Sequence, residues 1–326
     1  MVITDHPWPD VDIEHEILRA AGFELHAGPI RAGTAHEIEE LVATHDPVAI
    51  MTCWADVSAR AIAHPTDLRV VARMGVGLDN IAVGAATERG AWVINVPDYC
   101  VEEVSDHVLA LLLGHWRNVV ALDRESKLGH WNPASAAPRR VRNMTVGIIG
   151  YGRIGHATAR KLAQGFGCRV LVNSPRLLLI PGPGRECAPG VYVADLPTMQ
   201  READAIVLHL PLTPATRHVI NTTFLAACMC SPLLVNVSRG GLVDNDALVR
   251  ALDTGQLSGA AFDVVEGEPA PPANIIGRAD VIATPHIAFL SDASLAELRQ
   301  RSSEDVVRVL RGEKPVHPCN MPRRAR

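Results

Sequence analysis

The sequence lacks any apolar run that could cross a bilayer and any excess of positive charge. Runs such as residues 108–113 are far shorter than the roughly 20 residues that a membrane span needs. Residues 1–6 do not show the basic-then-apolar pattern of a signal peptide. The net charge is −5, and the short arginine-rich tail, residues 322–326, is more consistent with a solvated chain end than with a binding patch. We therefore expect a cytoplasmic protein that binds neither membranes nor nucleic acid.

Cysteine is scarce and has no spacing typical of a metal or redox site. The seven cysteines are spread along the chain, and the closest two, Cys228 and Cys230, are separated by one residue. Zinc sites and dithiol redox motifs use wider spacings. We predict reduced thiols, as in cytosolic proteins, and no metal site.

Short apolar runs alternate with helical patterns through the middle and end of the chain. With 326 residues, 48% apolar and 21% charged, the chain is long enough for two globular domains. The alternation predicts an α/β fold with doubly wound parallel sheets. The clearest helix is predicted at residues 245–254, and the strands of this part at residues 146–149, 169–172, 205–208, 233–237, 259–262 and 281–283.

The first hundred residues carry a weaker pattern of the same kind, with strands predicted at residues 48–51, 68–71 and 91–94. A proline-free amphipathic segment from Val101 to about Leu122 then predicts one long helix that links two lobes. A last helical pattern, residues 293–310, has no strand after it, and we expect it to return to the first lobe. The Pro-Gly-Pro-Gly sequence at residues 181–184 predicts a surface loop.

A glycine-rich hexapeptide, Gly150-Tyr151-Gly152-Arg153-Ile154-Gly155, follows a predicted strand and begins a predicted helix. In such a motif the first glycine permits a tight turn, the second lets the backbone approach a pyrophosphate, and the third lets the helix pack on the strand. The helix N-terminus offers unpaired N–H groups and a partial positive charge to the phosphates. The hexapeptide therefore predicts a dinucleotide site, although a close-packed glycine turn or another nucleotide-like ligand would fit the same pattern.

The next predicted strand ends without the acidic residue that usually binds the adenosine ribose. It runs instead into Asn173, Ser174, Pro175 and Arg176. Without a carboxylate, a ribose 2′-phosphate is not repelled, and Arg176 can pair with it. The sequence thus favours NADP, with Asn173, Ser174 and Arg176 at the ribose; the alternative is a surface arginine and a site that still accepts NAD.

Three residues of complementary chemistry, Arg239, Glu268 and His286, each follow one of the late strands. The carboxyl ends of parallel strands line the ligand site, so the three should converge across the cofactor. An arginine can bind a carboxylate and polarise a keto oxygen, and a histidine can deliver the proton. A glutamate beside that imidazole would favour its protonated form and fix its orientation. Together they predict hydride transfer to a 2-keto acid, although each alone also has a structural explanation.

With these motifs in order, the chain resembles the D-isomer-specific 2-hydroxyacid dehydrogenases, a family that includes phosphoglycerate dehydrogenases and the C-terminal-binding proteins. The resemblance covers nearly the whole chain. The acidic residue replaced within Ser174-Pro175-Arg176 and the stretch 177–193 depart from the family pattern. The matching segments are residues 73–81, 95–100, 147–155, 209–213, 236–241, 262–269 and 284–288.

The resemblance implies that Arg239, Glu268 and His286 form the catalytic trio. It implies that the backbone N–H groups of Val76 and Gly77 bind the substrate carboxylate, and that Asp263 contacts the nicotinamide carboxamide. The remaining cofactor contacts that it implies are Arg153, Ile154, His209, Leu210, Pro211, Thr216, Val237, Ser238, Arg239, His286 and Ala288.

The resemblance also implies a fold and an assembly. Residues 1–98 plus 292–326 would form a discontinuous substrate domain, residues 99–291 a dinucleotide-binding domain, and the protein a homodimer acting on a D-2-hydroxy acid. The main alternative is a dinucleotide-sensing binding protein similar to the C-terminal-binding corepressors. A glycine-loop methyltransferase is disfavoured because it gives the trio no joint role.

Overall fold

The computed structural model describes residues 1–179 and 184–322. The chain divides into two compact units, Met1–Cys100 with Ser291–Arg326 and Val101–Leu290. Residues 181–183 of the predicted surface loop and residues 323–326 of the basic tail lie outside the described residues. No helix in the described ranges has both the length and the apolar composition of a membrane span. The assignment of substrate and cofactor roles to the two segments stays a prediction.

The first unit alternates strands and helices from its start. The helices that begin at Ala35 and Ala59 are capped by side chains: Thr34 and Glu37 form a capping box at the first, and Ser58 accepts from Ala61 N at the second. The elements of this part are β1 (Val2–Ile3), α1 (Asp12–Ala20), β2 (His26–Ala27), α2 (Ala35–His45), β3 (Ala49–Thr52), α3 (Ala59–Ala63), β4 (Val70–Arg73), α4 (Val83–Arg89) and β5 (Trp92–Ile94).

The second unit continues the alternation with longer strands. Short 3₁₀ turns lie at Pro133–Ser135, Val141–Asn143 and Gly240–Leu242, and a π turn at Lys161–Gly165. Its elements are α5 (Val101–Trp116), α6 (Val119–Lys127), β6 (Thr145–Ile149), α7 (Arg153–Arg160), β7 (Arg169–Asn173), α8 (Pro175–Leu178), β8 (Glu186–Ala188), β9 (Val191–Val193), α9 (Leu196–Glu202), β10 (Ala205–Leu208), α10 (Thr222–Ala226), β11 (Leu233–Asn236), α11 (Asn245–Asp253), β12 (Gly259–Phe262), α12 (Ala273–Ile276) and β13 (Val281–Ala283).

The sheet of the second unit has the order β13-β12-β11-β10-β6-β7-β9-β8, and its pairs are parallel except β8 with β9. Successive strand residues enter opposite cores: Ile206 and Leu208 join one cluster, while Ala205 and Val207 join the other. Burial on both faces explains why these strands are continuous apolar runs. The α/β fold class predicted from the sequence is therefore confirmed; the antiparallel hairpin at β8 and β9 was not predicted.

The single helix predicted from Val101 to about Leu122 is wrong. The structure has α5 and α6 instead, divided at Asn118, whose φ is +55°. A residue in the left-handed region cannot continue a right-handed helix, and asparagine tolerates that region better than most residues. The amphipathic pattern was right for the first segment alone.

The sheet of the first unit is parallel throughout, in the order β2-β1-β3-β4-β5. The last helix, α13 (Asp292–Leu310), packs within this unit against α1. Arg299 of α13 donates to the carboxylate of Glu14 at 2.8 Å, and both side chains are buried. The late helix therefore returns to the first part of the chain, as its sequence pattern predicted.

Candidate active site

The glycine turn after β6 requires glycine at its first position. Gly150 has φ +103°, and a Cβ there would lie 2.1 Å from the carbonyl oxygen of His209. Its N–H donates to Asn173 O at 2.9 Å, so the turn is fixed to the end of β7 as well. The ends of β6, β7 and β10 thus meet at one point of the sheet edge.

Space is left open at the second glycine of this turn. A Cβ on Gly152 would have no heavy atom within 4 Å among the described residues, and Gly152 directly precedes α7. A Cβ on Gly155 would lie 2.2 Å from Gly150 O, so the helix packs closely on the turn. Unpaired N–H groups of the first helical turn, facing open space, suit a pyrophosphate. The residues present therefore fit a dinucleotide, and Arg153 and Ile154 lie at the helix start.

His209 and the loop after β10 form one side of this region. The His209 Nε2 atom lies 3.1 Å from Thr158 Oγ1 of α7, and burial lowers the pKa of the imidazole to about 4. The ring is therefore neutral near pH 7. Thr216 Oγ1 donates to Pro211 O at 2.7 Å and closes the short loop that starts at Leu210.

The residues predicted at the ribose have separate surroundings. The Asn173 amide is buried and donates to Ala194 O at 2.8 Å, so this N–H is already used. Ser174 precedes α8 without a capping bond from its side chain, and Arg176 is exposed. Sequence reasoning missed Arg185, whose Nε and Nη2 atoms are buried with no hydrogen-bond partner in residues 1–179 and 184–322. No motif pointed to it.

Glu268 and His286 are in direct contact. Glu268 Oε2 lies 3.2 Å from His286 Nδ1, and the two side chains are 36% and 21% exposed. They follow β12 and β13, which are neighbours in the sheet. His286 has φ +56°, a conformation that non-glycine residues adopt rarely and only where surrounding contacts hold them.

Asp263 holds the turn that carries His286. Its side chain accepts three hydrogen bonds, from Thr284 Oγ1 at 2.6 Å, Ile287 N at 2.9 Å and Ala288 N at 2.8 Å. Its backbone oxygen accepts from His286 N at 2.8 Å. A carboxylate with several donors of this kind stabilises a strained turn. The sequence predicted Asp263 as a cofactor contact, and the structure adds this positional role.

Arg239 follows β11, the next strand of the sheet. Asn236 Nδ2 donates to Arg239 O at 2.9 Å and Ser238 Oγ donates to Leu208 O at 2.7 Å, which fixes the turn after the strand. Arg239 Nη1 donates to Ser238 O at 2.7 Å. The three residues of the predicted trio therefore follow three adjacent strands, and Glu268 and His286 are in contact.

Glu266 anchors the loop that carries Glu268, and the sequence did not reveal it. Its carboxylate accepts from Arg217 Nη2 and lies 2.8 Å from His218 Nε2. A Cβ on Gly240 would lie 2.2 Å from Glu266 N, so this loop packs directly on the turn after Arg239. Only glycine permits that approach.

The predicted substrate contacts Val76 and Gly77 lie in the first unit, in the turn after β4. Their N–H groups have no hydrogen-bond acceptor within the two described ranges. The same segment contains Arg73, which is 6% exposed, has its Cζ 5.6 Å from the Trp54 ring centroid, and has a buried Nε without a partner in those ranges. Such a buried cation was not singled out from the sequence.

The groups near Arg73 that could carry a negative charge are a cysteine thiol, which is protonated, and a carboxylate, which already accepts hydrogen bonds from the backbone. Burial raises the pKa of the Cys53 thiol to about 12, so the thiol is protonated at neutral pH. Asp5 accepts from the backbone N–H groups of Cys53, Trp54 and Ala55. Within the described part of the chain, no cluster of three or more His, Cys, Asp or Glu residues is arranged for a metal ion.

A family model supports this reading of the second unit. The model of the NAD-binding domain of D-isomer specific 2-hydroxyacid dehydrogenases matches residues 109–288. That range contains the glycine turn and the trio.

Known proteins align with most of the chain. D-3-phosphoglycerate dehydrogenase of Mycobacterium tuberculosis is 36% identical over 255 residues, which cover 78% of this chain and 47% of that protein. The chain thus spans about half the length of this relative. Glyoxylate reductase of Korarchaeum cryptofilum is 38% identical over 258 residues, 78% of this chain and 76% of that protein. A crystal structure of a Thermus thermophilus protein superposes with a TM-score of 0.87 at 30% identity and covers 98% of this chain and 100% of that one.

Proposed function

Because this chain belongs to the D-isomer-specific 2-hydroxyacid dehydrogenase family, we propose that it interconverts a small 2-keto acid and the D-2-hydroxy acid. The observation that carries the proposal is the 3.2 Å contact between Glu268 and His286, after strands of the same parallel sheet whose β6 leads into a glycine turn that fits a dinucleotide. A bound nicotinamide supplies or accepts the hydride. The chain's own residues bind, orient and exchange the proton.

In this proposal each member of the trio has one role. Arg239 binds the substrate carboxylate and polarises the keto oxygen, since its guanidinium offers paired donors. His286 donates a proton to the keto oxygen during reduction and removes it during oxidation. Glu268 accepts from Nδ1 and fixes the orientation of the His286 ring. Val76 and Gly77 bind the carboxylate through their backbone N–H groups.

NADP is the cofactor that we favour, with NAD as the alternative. Residues 173–176 contain no carboxylate to repel a 2′-phosphate, and Arg176 is exposed at the start of α8. The glycine turn, Asp263, Ala288 and the turn after β11, with Val237 and Ser238, would hold the rest of the dinucleotide.

Arg73 supports an acidic substrate. A guanidinium buried in the first unit without a carboxylate partner in the described ranges is costly unless an anion meets it. It ends β4, directly before the turn with Val76 and Gly77, so we propose that it contributes to binding of an anionic group.

We also propose a homodimer located in the cytoplasm. The region around α6 exposes large apolar side chains, Val119 at 58%, Leu128 at 64% and Trp131 at 88%. A second copy of the chain would cover them. The seven cysteines, all in the described ranges, form no disulfide bond, which suits a reducing compartment.

The test is a substrate panel with both cofactors. Oxidation of NADPH or NADH is followed with glyoxylate, hydroxypyruvate, pyruvate and bulkier 2-keto acids, using wild type and His286→Ala. We expect turnover in wild type that is lost in the variant while cofactor binding is kept. Cofactor binding without turnover of any keto acid would reject the enzyme and favour the dinucleotide-sensing binding protein.

A further inference from the structure

His107 of α5 makes a hydrogen bond to the turn that carries His286. Its Nε2 atom lies 3.0 Å from Thr284 Oγ1 and 3.7 Å from Asp263 Oδ1. The imidazole is 19% exposed and the Asp263 side chain 1% exposed. Neither the glycine motif nor the trio includes His107.

The direction of these hydrogen bonds follows from the chemistry of the acceptor. Thr284 Oγ1 donates to Asp263 Oδ1 at 2.6 Å, which uses the single hydroxyl hydrogen of Thr284. His107 must then donate from Nε2 to Thr284 Oγ1. The hydrogen bonds therefore run from His107 to Thr284 to Asp263, and they require a proton on Nε2 of His107.

Asp263 is the acceptor on which the turn depends. It also accepts from the amides of Ile287 and Ala288, and its backbone oxygen accepts from His286 N. Between these bonds lies His286 at φ +56°, a conformation that relaxes if its supports are lost. A donor that holds the Thr284 hydroxyl therefore helps to hold Asp263 and the turn, and so affects the orientation of the His286 ring.

We propose that His107 is a positioning residue, which acts through Thr284 and Asp263 to hold the His286 turn in the geometry needed for proton transfer. This inference rests on the proposed function. His107 and Thr284 lie on the two segments by which the chain enters and leaves the second unit, α5 and the turn after β13. The bond joins segments that are 177 residues apart in sequence.

The test compares variants that keep or remove each donor. His107→Gln keeps an N–H near the position of Nε2, and His107→Leu removes it; Thr284→Ser keeps the hydroxyl, and Thr284→Val removes it. His115→Leu is the matched control, because His115 lies on the same helix and its Nε2 is 3.3 Å from a serine hydroxyl, Ser258 Oγ.

We expect His107→Leu and Thr284→Val to lower kcat about ten- to hundredfold, since small misplacements of reacting groups are costly. The Kd for NADPH should change less than about twofold and the Tm by a few degrees. The double variant should be no worse than the worse single variant, because both remove one pathway. His107→Gln and Thr284→Ser should recover most of the activity, and His115→Leu should match wild type.

Amide hydrogen exchange gives a second measurement that does not need turnover. The amides of Ile287 and Ala288 should exchange about tenfold faster in His107→Leu than in wild type, with His107→Gln close to wild type. If wild type reduces no keto acid, the proposed function fails and this exchange still tests His107. Unchanged exchange in His107→Leu, additive losses in the double variant, or His107→Gln as impaired as His107→Leu would each overturn the proposal.

Discussion

Glu268 Oε2 lies 3.2 Å from His286 Nδ1. The two residues come from loops after neighbouring strands, and separate anchors hold each loop: Glu266 binds Arg217 and His218, and Asp263 binds the 284–288 turn. The anchors of both loops therefore hold Glu268 and His286 in contact, as expected of groups that must keep a fixed geometry.

The first prediction separates the two members of this pair. His286→Asn should lower kcat for keto-acid reduction by about 10²–10⁴-fold, because the proton donor is lost. Glu268→Gln should lower it less, because the proton donor remains and only the carboxylate that orients its ring is replaced by an amide. Steady-state kinetics of both variants measures the two losses. Equal losses would contradict the separate roles given to the two residues.

The second prediction concerns the glycine turn. Gly150→Ala should destabilise the protein by more than about 2 kcal/mol, because its Cβ would lie 2.1 Å from His209 O at φ +103°. Gly152→Ala should keep the wild-type Tm, since no atom of the described residues lies within 4 Å of its Cβ, yet weaken dinucleotide binding about tenfold or more.

Gly84→Ala is the control for this pair. Gly84 lies in α4 of the other unit with open space around its Cβ, so the substitution should raise stability by roughly 0.5–1 kcal/mol and leave binding unchanged. Thermal unfolding and titration with NADPH give the two readouts. Wild-type binding by Gly152→Ala would mean that the phosphates lie elsewhere.

The third prediction addresses cofactor preference. Arg176→Gln should weaken NADPH binding about tenfold or more and leave NADH within about twofold, because only NADPH has the 2′-phosphate. Ser174→Asp should shift preference further toward NADH by adding a carboxylate at the ribose. The ratio of kcat/KM for the two cofactors measures the change. A wild-type ratio that strongly favours NADH would end the NADP proposal.

The parts of the fold that could be predicted are those in which apolar residues form a regular pattern or an unbroken run in the sequence. The strands at Ala205–Leu208, Gly259–Phe262 and Val281–Ala283 were predicted at their observed bounds because they are short apolar runs, and the first two are buried along their whole length. The two-residue strands β1 and β2 were missed, since such short strands carry no period. The helix break at Asn118 depends on one backbone conformation, which no pattern encodes.

The candidate site could be proposed from the sequence where a residue type has a chemical function and a fixed place after a strand. Glu268 and His286 were predicted to act together in this way, and in the structure their side chains contact each other. Arg73, His107 and Glu266 were missed because their importance comes from what surrounds them: a buried guanidinium, a relayed hydrogen bond and a loop anchor. Such properties follow from packing between distant segments.

The fourth prediction uses the buried imidazole of His209. Burial lowers its pKa from 6.5 to about 4 in the folded protein. Between these values the unfolded chain binds a proton that the folded chain does not, so the free energy of unfolding falls as the pH is lowered from 6.5 to 4. This group alone contributes up to about 3 kcal/mol of that loss, which is complete below pH 4.

His209→Gln removes the titrating group while an amide stays available to Thr158, so its unfolding free energy should fall less steeply than that of wild type between pH 6.5 and 4. Urea unfolding at half-unit pH steps measures the free energy of unfolding of both proteins. Because the two proteins have the same carboxylates, the difference between their curves removes the contribution of those groups. His36→Gln, which changes a histidine with a 78% exposed side chain, should leave the wild-type slope intact. Parallel curves for wild type and His209→Gln would show that His209 binds its proton equally well in the folded and the unfolded protein. That result would contradict the lowered pKa of this imidazole.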